Sequence, residues 1–373
     1  MLTRSSLLVG LLSLAQLGPL IGFSFVGGAL ADAVDRRKLL LGTQLLLAAT
    51  SVGLAVNAAR SHPSVWPIFV LTAASAGFSA IDAPTRSAAV PTLVRRDQVP
   101  AAAALAQTQI QIGVVLGPAV AGLVIGRVSL SAAYWIDVVT FAAAVVTLLA
   151  MAPMVPEGGG TRAGLTSVRE GLRELRAQPA VQGIFLVDIN AMFFGMPRAL
   201  FPQLGTELFN GGAGTVGLLY AAPGFGALVG ALTTGWVSGV RRPGRAVLVA
   251  VVVWGLAITG FGAVTWLPVG LALLAVAGWA DVLSAVFRGT ILQLQIPDRL
   301  RGRLSAINIA VVTGGPRLGD AEAGTVAAAT TPRISVISGG LACVAGVAVL
   351  ARLIPELAKW RPPPIRPVPD PAR

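Results

Sequence analysis

The sequence predicts an all-α membrane protein of about eleven transmembrane helices, built as two similar halves. Three observations carry that reading. The first is composition: 55% of the 373 residues are hydrophobic, only 12% are charged, and the mean hydropathy is +0.78. A soluble domain carries about 25% charged residues, so this chain could not coat a folded core with a solvated surface. A bilayer removes that need, provided backbone groups are satisfied internally. The second observation is a series of apolar stretches of spanning length, and the third is a self-match at one fixed offset.

A hydrocarbon core about 30 Å thick is crossed by about 20 apolar helical residues. Such stretches run over 7–31, 38–57, 65–87, 101–125, 132–152, 179–205, 214–239, 246–264, 266–288, 303–328 and 334–354. The first is too long for a signal-peptide core, and ten more follow it. Lys and Arg concentrate in cytoplasmic loops, and alternate loops here differ sharply. One set holds Arg36, Arg37, Lys38, Arg86, Arg95 and Arg96, then Arg162, Arg169, Arg173, Arg176, Arg241, Arg242 and Arg245. It continues with Arg288, Arg299, Arg301 and Arg303, and the tail adds Arg352, Lys359, Arg361, Arg366 and Arg373. The opposite set holds only Arg4, Arg60, Arg127 and Arg333, an asymmetry of 22 to 4 with Arg198 and Arg317 left inside spans. The tail is therefore expected in the cytoplasm, with Met1 on the outer side.

Self-similarity at a fixed period marks a repeated unit. At an offset of 202, Gly28-Ala29-Leu30 matches Gly230-Ala231-Leu232, and Arg86, Ala104, Gly113, Gly117 and Gly122 match Arg288, Ala306, Gly315, Gly319 and Gly324. The halves are expected at 1–152 and 179–355, joined by a Gly- and Arg-rich cytoplasmic connector at 153–178 and followed by a Pro/Arg-rich cytoplasmic tail at 356–373. Met1 falls on Gln203 at this offset, near the end of the span 179–205. The counterpart of that opening span is thus expected upstream, completing a 6+6 parallel repeat.

Several function classes are poorly served. The net charge of +12 and pI near 11.5 come from short loops between apolar runs, not from a basic face with interleaved aromatics, so nucleic acid is not an expected partner. One cysteine, Cys343, and one histidine, His62, exclude a disulfide framework and a Cys/His metal cluster. No G-x-x-x-x-G-K-[ST] stretch provides an ATP site, and Gly224-Phe225-Gly226 inside an apolar span is packing, not a dinucleotide loop. A membrane enzyme would need clustered His, acid or Ser groups that a single histidine does not favour. No catalytic residue, cofactor or metal is expected.

Between the first two spans lies Gly28-Ala29-Leu30-Ala31-Asp32-Ala33-Val34-Asp35-Arg36-Arg37. It resembles G-x-L-x-D-x-x-x-R-R/K, the loop signature of the major facilitator superfamily, with Asp35 where glycine is usual. In the second-half copy Thr234 stands where Asp32 would be. Gly113-Val114-Val115-Leu116-Gly117-Pro118-Ala119-Val120-Ala121-Gly122 resembles the G-x-x-x-G-P-x-x-G-G motif of drug–proton antiporters, with Ala121 replacing one glycine. Small residues four apart let helices approach, and Pro118 can bend the span. Asp82-Ala83-Pro84-Thr85-Arg86 leading to Pro91-Thr92-Leu93-Val94, and Pro297-Asp298-Arg299-Leu300-Arg301-Gly302-Arg303, resemble the exporter branch that includes enterobactin exporters and macrolide efflux pumps. The resemblance covers essentially the whole chain. It implies gate residues at Gly28, Asp32, Arg36, Arg37, Asp82, Arg86, Gly113, Gly117, Pro118 and Gly122, with Asp82 and Arg86 pairing with Arg36 or Asp32.

Ionisable groups within spans cost about 2.5–3.5 kcal/mol each on insertion scales, so each is a site candidate. Asp188 and Asn190 fall mid-span in 179–205 with Arg198 nearer its outer end, and Asp281 falls in 266–288. In the resembled fold the corresponding spans line a central cavity. Asp188 lies about ten residues into its span, about 15 Å deep, and Arg198 is too far along to neutralise it. It therefore suits a group that takes up and releases a proton. Gln107 and Gln111 are four apart on one helical face and could hydrogen-bond cargo or another helix. Arg317 and Asp320 are expected to neutralise each other, and Asp137 to be structural.

The expected function is a proton-coupled secondary exporter of a small molecule, drug-like or siderophore-like, working by alternating access. It is expected as a monomer, multi-pass in the inner membrane, with lipid and protons as its other partners. The rival is a non-transporting or truncated homologue acting as a membrane scaffold. In-frame coding sequence for one more apolar span upstream of Met1 is the expected result of extending the gene sequence. A stop codon directly upstream, without a frameshift, would point to a truncated product instead.

Overall fold

The computed structural model describes residues 5–155, 178–295 and 298–362. Most of the 153–178 connector, residues 296 and 297 and the end of the 356–373 tail lie outside the described residues, as do the side chains of Asp32, Gln111 and residues 298–310. The first half comprises α1 (Ser6–Ala33), α2 (Arg36–Ala59), α3 (Val65–Leu93), α4 (Val99–Arg127) and α5 (Leu130–Ala150). The second comprises α6 (Pro179–Phe194), α7 (Ala213–Leu232), α8 (Pro243–Ala263), α9 (Leu267–Gln295), α10 (Asp298–Ala329), α11 (Pro332–Leu353) and the short α12 (Pro355–Lys359). Among the described residues, ten helices are long and apolar enough to cross a membrane. Of the eleven expected spans, 303–328 forms within α10, which is 32 residues long but carries Arg317, Asp320 and Glu322 close together.

Helix starts follow local chemistry. Ser5 Oγ accepts from the Leu8 N–H (3.3 Å), Ser129 Oγ from Ala132 (3.0 Å) and Thr331 Oγ1 from Ile334 (3.1 Å), each satisfying an amide the first turn leaves open. The helices α6, α8 and α11 begin on Pro179, Pro243 and Pro332, where the missing N–H costs no intrahelical bond. The repeat extends to these boundaries. The helices α3 and α9 are both 29 residues long and start 202 positions apart, as do α5 and α11 with their caps Ser129 and Thr331.

Four of the spans differ clearly from the apolar pattern. The span 179–205 is interrupted: α6 stops at Phe194, and the chain continues through a 3-10 turn at Arg198–Leu200 to a π turn at Leu204–Leu208. Gly195 supplies the break, its carbonyl accepting from Trp254 Nε1 (2.8 Å), and Pro197 has no N–H to carry the helix on. The span 214–239 ends earlier, at Leu232, followed by a 3-10 turn at Thr234–Gly239. The spans 65–87 and 266–288 run six and seven residues further, which moves Arg86 and Arg288 from loops into α3 and α9. A charged residue ends a hydropathy window without ending a helix.

Packing is uneven between the halves. The second half buries Phe201, Phe261, Phe287, Leu200, Leu219 and Leu274 in one cluster, whereas α5 contributes no buried residue. The helix α4 packs chiefly on α7 of the other half, and α1 packs on both α3 and α10. These inter-half crossings are close because glycine faces backbone. A Cβ added at Gly10 would sit 2.9 Å from the Asp320 carbonyl oxygen, and one at Gly122 would sit 2.8 Å from that of Ala213 and from Gly217 Cα. Gly113 and Gly117 have open space instead. Of the three glycines in the α4 motif, Gly122 alone makes the expected close helix contact.

Overpacking a tight site typically costs about 1–3 kcal/mol. Gly122→Val is therefore expected to lower the melting temperature of the purified protein in detergent, while Gly42→Ala, in open space on α2, is expected to leave it unchanged. Equal melting of the two variants would contradict the α4–α7 contact.

Candidate functional site

Both inter-half seams lie at the same end of the bundle. The α1–α10 seam joins the start of α1 to the last third of α10, and the α4–α7 seam joins the end of α4 to the start of α7. Ser6 Oγ donates to Gln203 Oε1 (2.7 Å) and Ser13 Oγ to Asp320 Oδ2 (3.0 Å), both from the first half to the second. The helices α3 and α9 pack mainly within their own halves, α3 on α1 and α2 and α9 on α7 and α8. Among the described residues, the halves meet backbone to backbone at the seamed end, through Gly10 with Gly324 and Gly122 with Gly217.

In the second half Arg288 is the organising residue. It is buried on α9, and its Nη1 donates to Oδ1 of the buried Asp188 on α6. Its Nη2 lies 3.9 Å from Asp281 Oδ1, and the Asp281 side chain is 46% exposed. Asp281, Ser284 and Arg288 fall at i, i+3 and i+7, hence on one face of α9. Ser284 Oγ is buried on that strip without a hydrogen-bond partner. Asp188 therefore has the fixed partner that the sequence reading withheld from it. The missed signal was in the repeat. Ser284 occupies the position that Asp82 holds in the first half, so Arg288 has no acid one turn back and turns to α6.

The first-half counterpart is closed within itself. Asp82 is buried and accepts from Thr43 Oγ1 (2.9 Å), Gln44 Nε2 (2.8 Å) and Arg86 Nη2 (2.5 Å). Asp82 and Arg86 thus pair with each other and not with Arg36 as expected, while the Asp32 side chain lies outside the described residues. Arg36 instead donates to the carbonyls of Ala31 and Ala88 (3.3 and 3.2 Å), and Arg37 to those of Leu148 and Leu149 (2.9 and 2.6 Å). The two arginines satisfy carbonyls at or near the C-terminal ends of α1, α3 and α5, where cations also suit the helix dipole. Asp35, in the place of the usual glycine, accepts from the N–H groups of Arg37 and Met154 (both 2.9 Å). The Met154 bond draws its carboxyl below the ordinary carboxylate range, against the opposing effect of burial. Arg86 pairs with Asp82 and keeps a side chain 59% exposed.

The remaining candidates separate. Asn190 is buried and donates to the Cys343 carbonyl on α11 (2.9 Å), so its amide ties two helices and does not face cargo, contrary to expectation. Arg198 is exposed at the α6 break and acts electrostatically on both Asp281 and Asp320; its carbonyl accepts from Tyr220 Oη (2.9 Å). Gln107 is exposed on α4, and Gln111 follows one turn later on the same helix. Arg317 and Asp320 do not form the expected ion pair. Arg317 Nη1 donates to the Thr313 carbonyl (2.9 Å), while Asp320 Oδ1 accepts from the Ala199 N–H (3.0 Å) and Oδ2 from Ser13.

Two helical halves related by repeat, seamed at one end and carrying ion pairs on inward-facing helices, define a multi-pass membrane transporter of the major facilitator superfamily, not an enzyme. Within it, the chain belongs to the family described as transmembrane secretion effectors, which matches residues 1–370. An enterobactin exporter EntS of Citrobacter koseri is 32% identical over 371 residues, covering 99% of this chain and 88% of that protein. One of Shigella boydii serotype 4 is 30% identical, covering 98% and 87%. Among solved structures, the nucleoside transporter NupG aligns with a TM-score of 0.75 at 12% identity, over 96% of this chain and 92% of its own. A bacterial homologue of the human lysosomal transporter Spinster, in an inward-facing unoccupied conformation, aligns at 0.73 and 14%, over 98% and 92%. At those identities the two structures speak to the fold alone.

Removing one member of a buried ion pair typically costs about 3–5 kcal/mol, because the other charge is left uncompensated. Arg288→Gln is therefore expected to lower detergent stability strongly, and adding Asp188→Asn to that variant is expected to restore most of the loss. A double variant no more stable than the single one, by thermal melting of purified protein, would rule out the pairing as the cause.

Proposed function

We propose that this protein is a proton-coupled exporter of a small molecule, siderophore-like or drug-like, acting as a monomer by alternating access between its halves. The observation that carries the reading is the charge group on α6 and α9, where one buried arginine serves a buried and a half-exposed carboxylate. With one arginine and two carboxylates, the group is neutral when one carboxylate holds a proton and carries a single negative charge when both are ionised. Proton exchange therefore changes its charge by one and never leaves two charges unpaired. Asp281 is the better of the two candidates for that exchange, since its side chain is half exposed while the buried Asp188 holds Arg288 in place. The placement of both seams at one end supports a state closed on one side only. Arginine-rich ends at Arg36, Arg37, Arg241 and Arg242 are cytoplasmic by the charge rule, which makes the seamed end the outer one and keeps the tail inside. Inner-membrane location follows from the same orientation.

Siderophore cargo enters through the relatives named as enterobactin exporters, which are about 30% identical along nearly the whole chain. Arg86, Arg198 and Gln107 are exposed polar groups on elements of both halves, and they are the residues proposed to meet cargo.

The test uses inverted membrane vesicles with an imposed pH gradient, and enterobactin and a set of drugs as cargo. Asp281→Asn is expected to abolish uphill accumulation while leaving some downhill exchange, at a membrane abundance equal to the parent. Asp188→Asn is expected to lose both abundance and transport. Full gradient-driven accumulation by Asp281→Asn would remove that residue from the coupling.

A further inference from the structure

The short helix α12 folds back over the second half and gathers two groups of cations that are far apart in the chain. Arg241, Arg242 and Arg245 are exposed just before α8 and on its first turn. Arg352, Lys359 and Arg361 are exposed at the end of α11 and around α12. Gly244 lies against the Leu357 carbonyl with no room for a Cβ, and a Cβ added at Gly183 would sit 3.2 Å from the Leu357 side chain and 3.3 Å from that of Ile354. The buried Leu357 thus pins α12 across the starts of α8 and α6. Its contact lies one residue from Arg245 and two from Lys359, so both cation groups surround it.

In the first half, Arg36 and Arg37 are taken up by helix-end carbonyls. Among the described residues, none of the six second-half cations donates a side-chain hydrogen bond or forms an ion pair. Glu356 is the one acid on these segments, and it is exposed. Directly below the cations, two helices turn apolar faces outward. On α8, Arg245 shares a face with the exposed Val249 and Leu256, at i+4 and i+11. On α11, Arg352 shares a face with the exposed Val349 and Leu341, three and eleven residues back. The two helices touch closely where Gly255 meets the Gly340 carbonyl, so the stripes lie side by side, each topped by an arginine at the same end.

We infer that this end of the second half binds an anionic diacyl phospholipid, its phosphate held by the cations around α12 and its acyl chains laid on the stripes of α8 and α11. Each cation beside a membrane surface strengthens attraction to anionic headgroups about fivefold (about 1 kcal/mol). A zwitterionic headgroup brings its own cation to the phosphate and gains little from the cluster. A chain-free anion meets the cations but leaves the stripes uncovered. The charge rule places this end in the cytoplasmic leaflet, yet the match of headgroup and chains holds for either leaflet. Because α12 touches α6, α8 and α11, a lipid seated here fastens three helix ends together.

The experiment titrates lipid onto the purified full chain, delipidated in a neutral detergent, and reads bound lipid by native mass spectrometry. Its outcome does not depend on cargo, coupling or leaflet. Dioleoylphosphatidylglycerol is expected to bind about thirtyfold more tightly than dioleoylphosphatidylcholine. Arg245→Gln with Arg352→Gln is expected to lose that factor, about fivefold for each cation removed. Arg245→Lys with Arg352→Lys keeps the charge and is expected to keep most of the affinity. Arg95→Gln with Arg96→Gln, at exposed cations of the first half, is expected to bind as the parent does. Glycerophosphoglycerol, the headgroup without chains, is expected to compete about a hundredfold more weakly than the lipid, since it buries no apolar surface. Equal binding of the two lipids by the parent, or equal losses in the two glutamine pairs, would overturn the site. Loss in the lysine pair as large as in its glutamine counterpart would trace the effect to structure and overturn it too. Competition by the bare headgroup as strong as by the lipid would replace the lipid with a free anion.

Discussion

A charge inside a bilayer has to be paired or wetted, and most of this structure follows from how each charge meets that condition. Arg86 and Arg288 occupy equivalent positions in the repeat, yet they are solved differently. Arg86 finds Asp82 one turn back on its own helix and keeps much of its length in contact with solvent. Arg288 finds Ser284 at that place, so it must reach Asp188 on another helix, and the reach fixes α6 against α9. One replaced side chain thus converts a local pair into a tertiary one. A buried ion pair contributes little net stability over an apolar core, so what this pair adds is the fixed placement of α6 against α9.

The same condition divides the two ends of the molecule. At the arginine-rich end, Arg36 and Arg37 are consumed by helix-end carbonyls, and Asp35 binds the chain beyond α5 through Met154. These contacts stay within the first half, so they stiffen it without tying it to the second. At the other end, glycines at Gly10, Gly122, Gly217 and Gly324 bring backbones of opposite halves together, and short hydroxyl and amide side chains complete the closure. Contacts of this kind are small and reversible. Such a seam suits the proposed transport cycle, in which a large apolar interface would hold it shut.

The break after α6 frees a backbone donor. Gly195, held through its carbonyl by Trp254, and Pro197 stop the helix where Arg198 and Ala199 face the acids of α9 and α10. An uninterrupted helix would have spent the Ala199 N–H on its own backbone, and Asp320 would lack its second donor. Irregular backbone at membrane depth is tolerated where it is buried in protein or lines a cavity, and here it supplies a binding group.

Much of the fold was legible in the sequence, because lipid forces long apolar helices and the repeat doubles each signal. The offset of 202 recurs in the starts of α3 and α9 and in the caps Ser129 and Thr331. The individual charges inside spans were legible as candidates, since insertion is costly and nothing apolar is gained by keeping them. Their partners were not. Spacing along one chain leaves Asp188 without a partner, Arg288 in a loop, Asn190 open to cargo and Arg317 beside Asp320, whereas the fold pairs Asp188 with Arg288 and gives Asn190 and Arg317 backbone carbonyls. Composition and spacing along one helix determine that a segment crosses the membrane, which face is polar and where the repeat lies. Which helix presents its donor to which acceptor depends on the crossing of chains far apart in sequence, as Ser13 and Asp320 are, and only the tertiary packing decides it.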